Sequence, residues 1–203
     1  MRMIKTVIAP TTFKIEIEKS KFIGSVFHVE NEEQIKDTIK IIKKEYAKAT
    51  HNCYAYITSN HQKSSDDEEP SGTAGIPILE AIKNQGLENI LVIVTRYFGG
   101  IKLGASNLSR TYGAVATEAM KLAPKIYIKS YEVYSLSFEY NLTNSINQYL
   151  ADKKIKVLER KYEEKVEYLV STDDSDFKAR LFDYVNGKIE IIFVHNQDYE
   201  SNE

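Results

Sequence analysis

Seven of the nine glycines in this 203-residue chain lie between Gly72 and Gly113. Glycine forgoes side-chain packing and gains access to positive φ angles and close backbone approach. A stretch this rich in it is built for loops that meet tightly, not for a core. An acidic run comes first, Asp66-Asp67-Glu68-Glu69-Pro70-Ser71-Gly72-Thr73-Ala74-Gly75. A glycine loop follows, Val94-Thr95-Arg96-Tyr97-Phe98-Gly99-Gly100-Ile101-Lys102-Leu103-Gly104, with no acidic residue between Glu88 and Glu118. The pattern predicts two loops meeting at one surface site.

Around that stretch the hydrophobic periodicity divides the chain in two. Thr11–Ile17 and Lys21–Val29 alternate as a hairpin with its turn at Lys19-Ser20. Asn31 caps a helix that runs to about Tyr46, with Ile35, Ile39, Ile42 and Tyr46 on one face. Cys53–Thr58 reads as a strand, residues 59–65 as a polar loop, and Pro77 to Gly86 as a short helix. Ile90–Val94 is an aliphatic run expected to be buried on both faces. A helix with Ser106 as its cap then runs to Leu122 and stops before Pro124. Beyond it the order is β-α-β-β-α-β, ending in a strand over Ile189–Val194, which is the split ferredoxin-like arrangement. Tyr131 and Tyr134, near the boundary, are candidates for packing between domains. We expect an α+β protein with domains over residues 1–125 and 126–203.

Net charge is −2, so nothing draws the whole chain to nucleic acid or membrane. The halves differ: residues 1–125 carry 17 Lys/Arg against 14 Asp/Glu, and residues 126–203 carry 10 against 15. One cysteine, Cys53, permits no intrachain disulfide and fits a reducing cytoplasm. No cationic leader and no apolar run near the ~20 residues of a membrane span is present, so the expectation is a soluble cytoplasmic protein.

Gly99 to Ser106, between a strand and a helix, stands where a phosphate-binding loop would. Ala105 occupies the position of the lysine that reaches terminal phosphates, which excludes a nucleotidase of that kind. Backbone N–H groups of a glycine loop and a helix N-terminus still favour anions. The candidate anion or nucleic-acid site is therefore Arg96, Tyr97, Gly99, Gly100, Lys102, Gly104 and Arg110. The opposing reading is a purely structural turn, with Arg96 or Lys102 pairing an acid of the other loop. Asp66 to Glu69 could hold a hard cation, although such runs are more often solvated or cap a helix. His51 and Cys53 could form a nucleophile pair; the plainer reading makes Cys53 a core residue. We assign no catalytic residue, metal or cofactor.

These residues resemble the IMPACT family, also called the YigZ family. The match rests on His51-Asn52-Cys53-Tyr54-Ala55-Tyr56, on Ser65-Asp66-Asp67 with Glu69-Pro70-Ser71-Gly72-Thr73-Ala74-Gly75, on Val94 through Gly104, and on Arg110 and Tyr112. The family usually has glycine where Glu68 stands and a Gly-Gly pair where Ser106-Asn107 stands. The resemblance covers residues 10–122 strongly; the remainder looks like the smaller second domain of bacterial members. It implies a first domain similar to the α/β sandwich of the second domain of ribosomal protein S-five, and a ferredoxin-like second domain similar to those of elongation factor G. Both relatives work against RNA, and eukaryotic members are translation regulators that compete for a partner of a stress-responsive kinase. It also marks His51, Asn52, Asp66, Asp67, Glu69, Pro70, Ser71, Gly72 and Thr73 as the family's motif loop. The expected function is non-enzymatic regulation through RNA, the ribosome or a translation-associated protein. The alternatives are a protein–protein regulator that binds no nucleic acid, and a metal-assisted hydrolase, the peptidase label some members carry, using the acidic loop.

Overall fold

The computed structural model describes residues 3–201. After a short strand β1 (Met3–Val7), the hairpin of β2 (Thr11–Ile17) and β3 (Ser20–His28) is set by its two-residue turn. Glu18 and Lys19 both have positive φ, 48° and 61°, the conformation whose twist matches that of paired strands. Ile17 therefore pairs with Ser20, and the register continues to Thr11 opposite Val26.

Helix α1 (Glu32–Glu45) starts where Asn31 accepts a hydrogen bond from the Gln34 N–H, and Glu32 and Glu33 lie at the positive end of its dipole. Strands β4 (His51–Ile57), β5 (Gln62–Ser65) and β6 (Ile90–Tyr97) complete a sheet of order β2-β3-β6-β4-β5. β6 is antiparallel to both neighbours and buried from Ile90 to Arg96. Its residues alternate between two cores. Leu91 and Ile93 meet Ile35 and Ile42 of α1. Ile90, Val92 and Val94 meet α2 (Gly75–Gln85) and α3 (Ala105–Leu122) through Ile78, Ile82, Tyr112, Val115 and Met120. The sheet is thus covered on both faces, which is why the β6 sequence is aliphatic without alternation.

From β7 (Lys125–Phe138) onward come α4 (Thr143–Asp152), β8 (Lys156–Tyr162), β9 (Val166–Thr172), α5 (Phe177–Tyr184) and β10 (Ile189–Ser201). β7 lies between β10 and β9, with β8 outside β9, and β1 also pairs with β7. Ile146, Leu150, Phe177 and Leu181 of the two helices pack on Leu136, Phe138, Tyr168 and Val170. Among the described residues there are five α-helices and two antiparallel sheets, an α+β fold. The chain forms two compact units, Ile4–Tyr127 and Ile128–Ser201, and β7 runs through the division.

Some local expectations are corrected. The polar segment 59–65 contains β5, an exposed edge strand that shows no alternation because neither face enters a core. Ser106 does not cap α3: Gly104, at φ 78°, is the cap, and no side chain closes that end. Tyr131 stands edge-on to Tyr199, and Tyr134 packs on Phe177 and Phe193, all five within the second unit. No helix is long and apolar enough to cross a membrane among the described residues.

Candidate functional site

The acidic run folds back on itself around Asp66. One carboxylate oxygen accepts the N–H groups of Ala74 and Gly75 at 3.0 and 2.8 Å, and the other accepts Gly72 N–H at 2.9 Å. Burial pushes this carboxyl up, but the three backbone donors outweigh it and hold it below the ordinary aspartate value. Asp66 thereby ties the loop to the start of α2. Asp67 accepts Asn52 N–H at 2.6 Å and pairs with Lys43 at 2.6 Å. Asp67 and Glu68 both have positive φ, 40° and 70°. Thr73 closes the turn with its hydroxyl on the Pro70 carbonyl at 2.6 Å, while Pro70 and Ser71 are exposed.

Glu69 enters the core. Only 8% exposed, it receives Arg96 at 2.8 Å and the Tyr112 hydroxyl at 2.7 Å on one carboxylate oxygen. Arg96, 5% exposed, also donates to Ser20 Oγ at 3.4 Å and lies between the Phe22 and Phe98 rings, at 5.4 and 5.2 Å from their centroids. Its Nε–H has no partner among the described residues. Arg96 is therefore not the surface cation expected for an anion site: the acid-pairing alternative describes it, with Glu69 as the acid. The strand continues through Thr95, Arg96 and Tyr97 past the aliphatic run, and the pleat turns Arg96 inward.

His51 Nδ1 lies 2.9 Å from the Asp67 carbonyl, which can only accept, so Nδ1 carries the proton. Nε2 faces the Glu69 carboxylate at 3.8 Å. Asn52 accepts the buried Thr95 hydroxyl at 2.8 Å. Cys53 is fully buried; its thiol donates to the Asp66 carbonyl at 2.9 Å, and burial pushes its pKa up to about 12. A protonated thiol whose hydrogen is given to a carbonyl is no nucleophile at neutral pH. Burial likewise raises Tyr112, keeping its hydroxyl a donor to Glu69. Asp66, Asp67 and Glu69 are each engaged in bonds within the protein. No group of three His, Cys, Asp or Glu positioned to hold a metal ion occurs among the described residues.

The second loop rests on this assembly. Phe98 N–H donates to Thr50 Oγ1 at 3.0 Å and Gly99 N–H to Ser20 Oγ at 3.2 Å. A Cβ on Gly99 would stand 2.0 Å from the Lys19 carbonyl oxygen, so only glycine lets the loop lie on the β2–β3 turn. Tyr97 is half-buried. Phe98, Gly100, Ile101, Lys102, Gly104 and Arg110 are exposed. Ser106 and Asn107 sit in the first turn of α3, where Asn107 donates to the Leu103 carbonyl at 3.2 Å. Sequence reasoning missed Ser20, Phe22, Lys43 and Thr50. They come from β3, α1 and the residue before β4, and nothing local marks them.

The fold and this site define a class: a two-unit α+β protein in which a buried Glu-Arg-Tyr cluster props an exposed basic glycine loop. A family model described as the Impact N-terminal domain matches residues 18–120. The chain is 38% identical over 184 residues to the IMPACT family member YvyE of Bacillus subtilis, covering 88% of this chain and 85% of that protein. It is 30% identical over 194 residues to the IMPACT family member YigZ of Escherichia coli, covering 92% and 95%. A crystal structure of a hypothetical protein, 29% identical, superposes with a TM-score of 0.67 over 96% of this chain and 98% of that one. This chain belongs to the IMPACT family.

Proposed function

We propose that this chain is a non-enzymatic cytoplasmic regulator that contacts single-stranded RNA of the translation machinery through the rim of its glycine loop. The observation that carries the reading is the exposed set Phe98, Gly100, Ile101, Lys102 and Gly104, followed by an α3 N-terminus with no acidic residue in its first turn and exposed Arg110 on the same helix. Lysine and arginine neutralise phosphates, backbone N–H groups at a helix start favour anions, and the exposed Phe98 ring offers a stacking face. The Glu69–Arg96–Tyr112 cluster serves this rim by fixing it. The family resemblance supports a regulatory role in translation. The second unit's element order and its strand order β10-β7-β9-β8 support a ferredoxin-like fold. The first unit's helix-covered antiparallel sheet supports the ribosomal protein S-five type.

The test is binding of a fluorescent single-stranded RNA over a salt series, comparing the wild-type chain with Lys102→Ala/Arg110→Ala. Arg96 is left intact because its loss would break the core. The wild-type affinity should fall steeply with salt, and the double variant should bind more weakly with a log–log slope shallower by about 1.4. A salt-independent affinity, or an unchanged one in the variant, sinks the nucleic-acid reading. In that case the exposed Phe98 and Ile101 side chains, 44% and 38% accessible, favour a protein partner at the same rim.

A further inference from the structure

The second unit is acidic on balance, yet four of the ten lysines and arginines in residues 126–203 line one cavity of about 570 Å³. Pockets that hold small organic ligands span roughly 300–1,000 Å³. This one is built from the end of α4, the start of β8, the end of β9 and the two long strands β7 and β10. Its charges are not balanced by its acids. Asp173 is taken by Lys129 at 2.6 Å, and Asp174 by Arg180 at 2.9 Å. Lys153, Lys154 and Lys156 make no ion pair among the described residues. Lys153 and Lys154 follow α4 and offset its dipole. Lys156 cannot be explained that way, because it belongs to β8.

Two further features point to a ligand. Tyr131 and Tyr199 meet edge to face at 5.2 Å, with Lys129 4.9 Å from one ring centroid and Lys156 5.0 Å from the other. This brings π surface and positive charge to one cavity wall. Ser171, directly across from Lys156 in the β8–β9 register, also lines the cavity. It is 2% exposed, and its Oγ has no hydrogen-bond partner among the described residues. An unpaired buried hydroxyl is costly unless something completes it.

We infer that this cavity is a nucleotide site, with the phosphate held by Lys153, Lys154 and Lys156, the base against the Tyr131–Tyr199 pair, and Ser171 supplying a polar contact. It goes beyond the glycine-loop reading and does not rest on it, since every lining residue belongs to the second unit. The nucleotide is either a free mononucleotide or the 5′-phosphorylated end of an RNA, which present the same chemistry.

Equilibrium dialysis of the full chain against AMP, adenosine and inorganic phosphate tests this. AMP should bind saturably and more tightly than either fragment of itself. Lys153 and Lys156 are exposed, so Lys153→Gln/Lys156→Gln should keep the fold, checked by circular dichroism, while weakening AMP by about tenfold or more. Tyr199→Leu should weaken AMP and leave phosphate unchanged, and Ser171→Ala should also weaken AMP. Lys102→Ala/Arg110→Ala should leave AMP binding as it is, which separates this site from the glycine loop. A parallel titration with 5′-phosphorylated and 5′-hydroxyl RNA of one sequence assigns the source. A preference for the phosphorylated end exceeding that for AMP supports an RNA terminus; tighter AMP supports a free nucleotide. The proposal is overturned if AMP binds no better than phosphate, if the lysine and tyrosine variants change nothing, or if no saturation is seen below about 1 mM.

Discussion

Arg96 is held by a buried carboxylate, a buried serine hydroxyl, the buried Phe22 ring and the exposed Phe98 ring. Removing one member of a buried ion pair leaves the other charge uncompensated, which typically costs about 3–5 kcal/mol. Arg96→Ala should therefore lower stability by about that amount in urea unfolding. Arg96→Lys should recover little of it, because an ammonium cannot lie flat between two rings while reaching both Glu69 and Ser20. Recovery of wild-type stability by lysine would mean that charge alone matters here. The sequence puts Arg96 and Glu69 among the site residues and Tyr112 among those that carry the family resemblance, but cannot say that they bond to one another. The partners lie 27 and 43 positions from Glu69, and Lys102 competes with Arg96 for the same acid on paper. Only the register of β6 in its sheet decides which cation turns inward.

Elements show the same division between legible and hidden. The Asn31 cap, the Gly86 stop at φ 62° and the aliphatic β6 follow from local chemistry and are where they are expected. The edge strand β5 was hidden because its four polar residues owe their conformation to β4 alone. The cap of α3 was hidden because Gly104 has no side chain to advertise it. The loop between β5 and α2 carries a consequence of its own. Glu68 sits at φ 70°, where a side chain costs roughly 1–2 kcal/mol relative to glycine, partly offset by glycine's freedom when unfolded. This accounts for the glycine usual at that position in the family. Glu68→Gly should stabilise the protein by about 0.5–1 kcal/mol in thermal or urea unfolding, since the exposed Glu68 side chain makes no hydrogen bond or ion pair among the described residues. A loss of stability would show that the left-handed turn is not strained.

Across the whole molecule, β7 belongs to both compact units, so the boundary expected after Lys125 falls at the start of a strand. Hydrophobic patterning could not reveal this. The first residues of β7 alternate weakly, and β1, their partner, is too short to stand out. A chain ended after Ala123 loses the β1–β7 pairing and the buried Ile126. It should be less stable than one ended after Tyr131 by about 1–3 kcal/mol, measured by thermal unfolding of the two fragments. Equal melting would show that β1 contributes nothing to the first core. The same pairing bears on how the protein is made. The Ile8 N–H donates to the Pro124 carbonyl at 3.0 Å, so β1 is synthesised well before the strand it pairs with. At ribosomal speeds of about 5–20 residues per second, β1 waits on the order of 10 seconds, unpaired, for β7 to emerge. During that interval Ile4 and Val7 are open to chaperones and to other nascent chains.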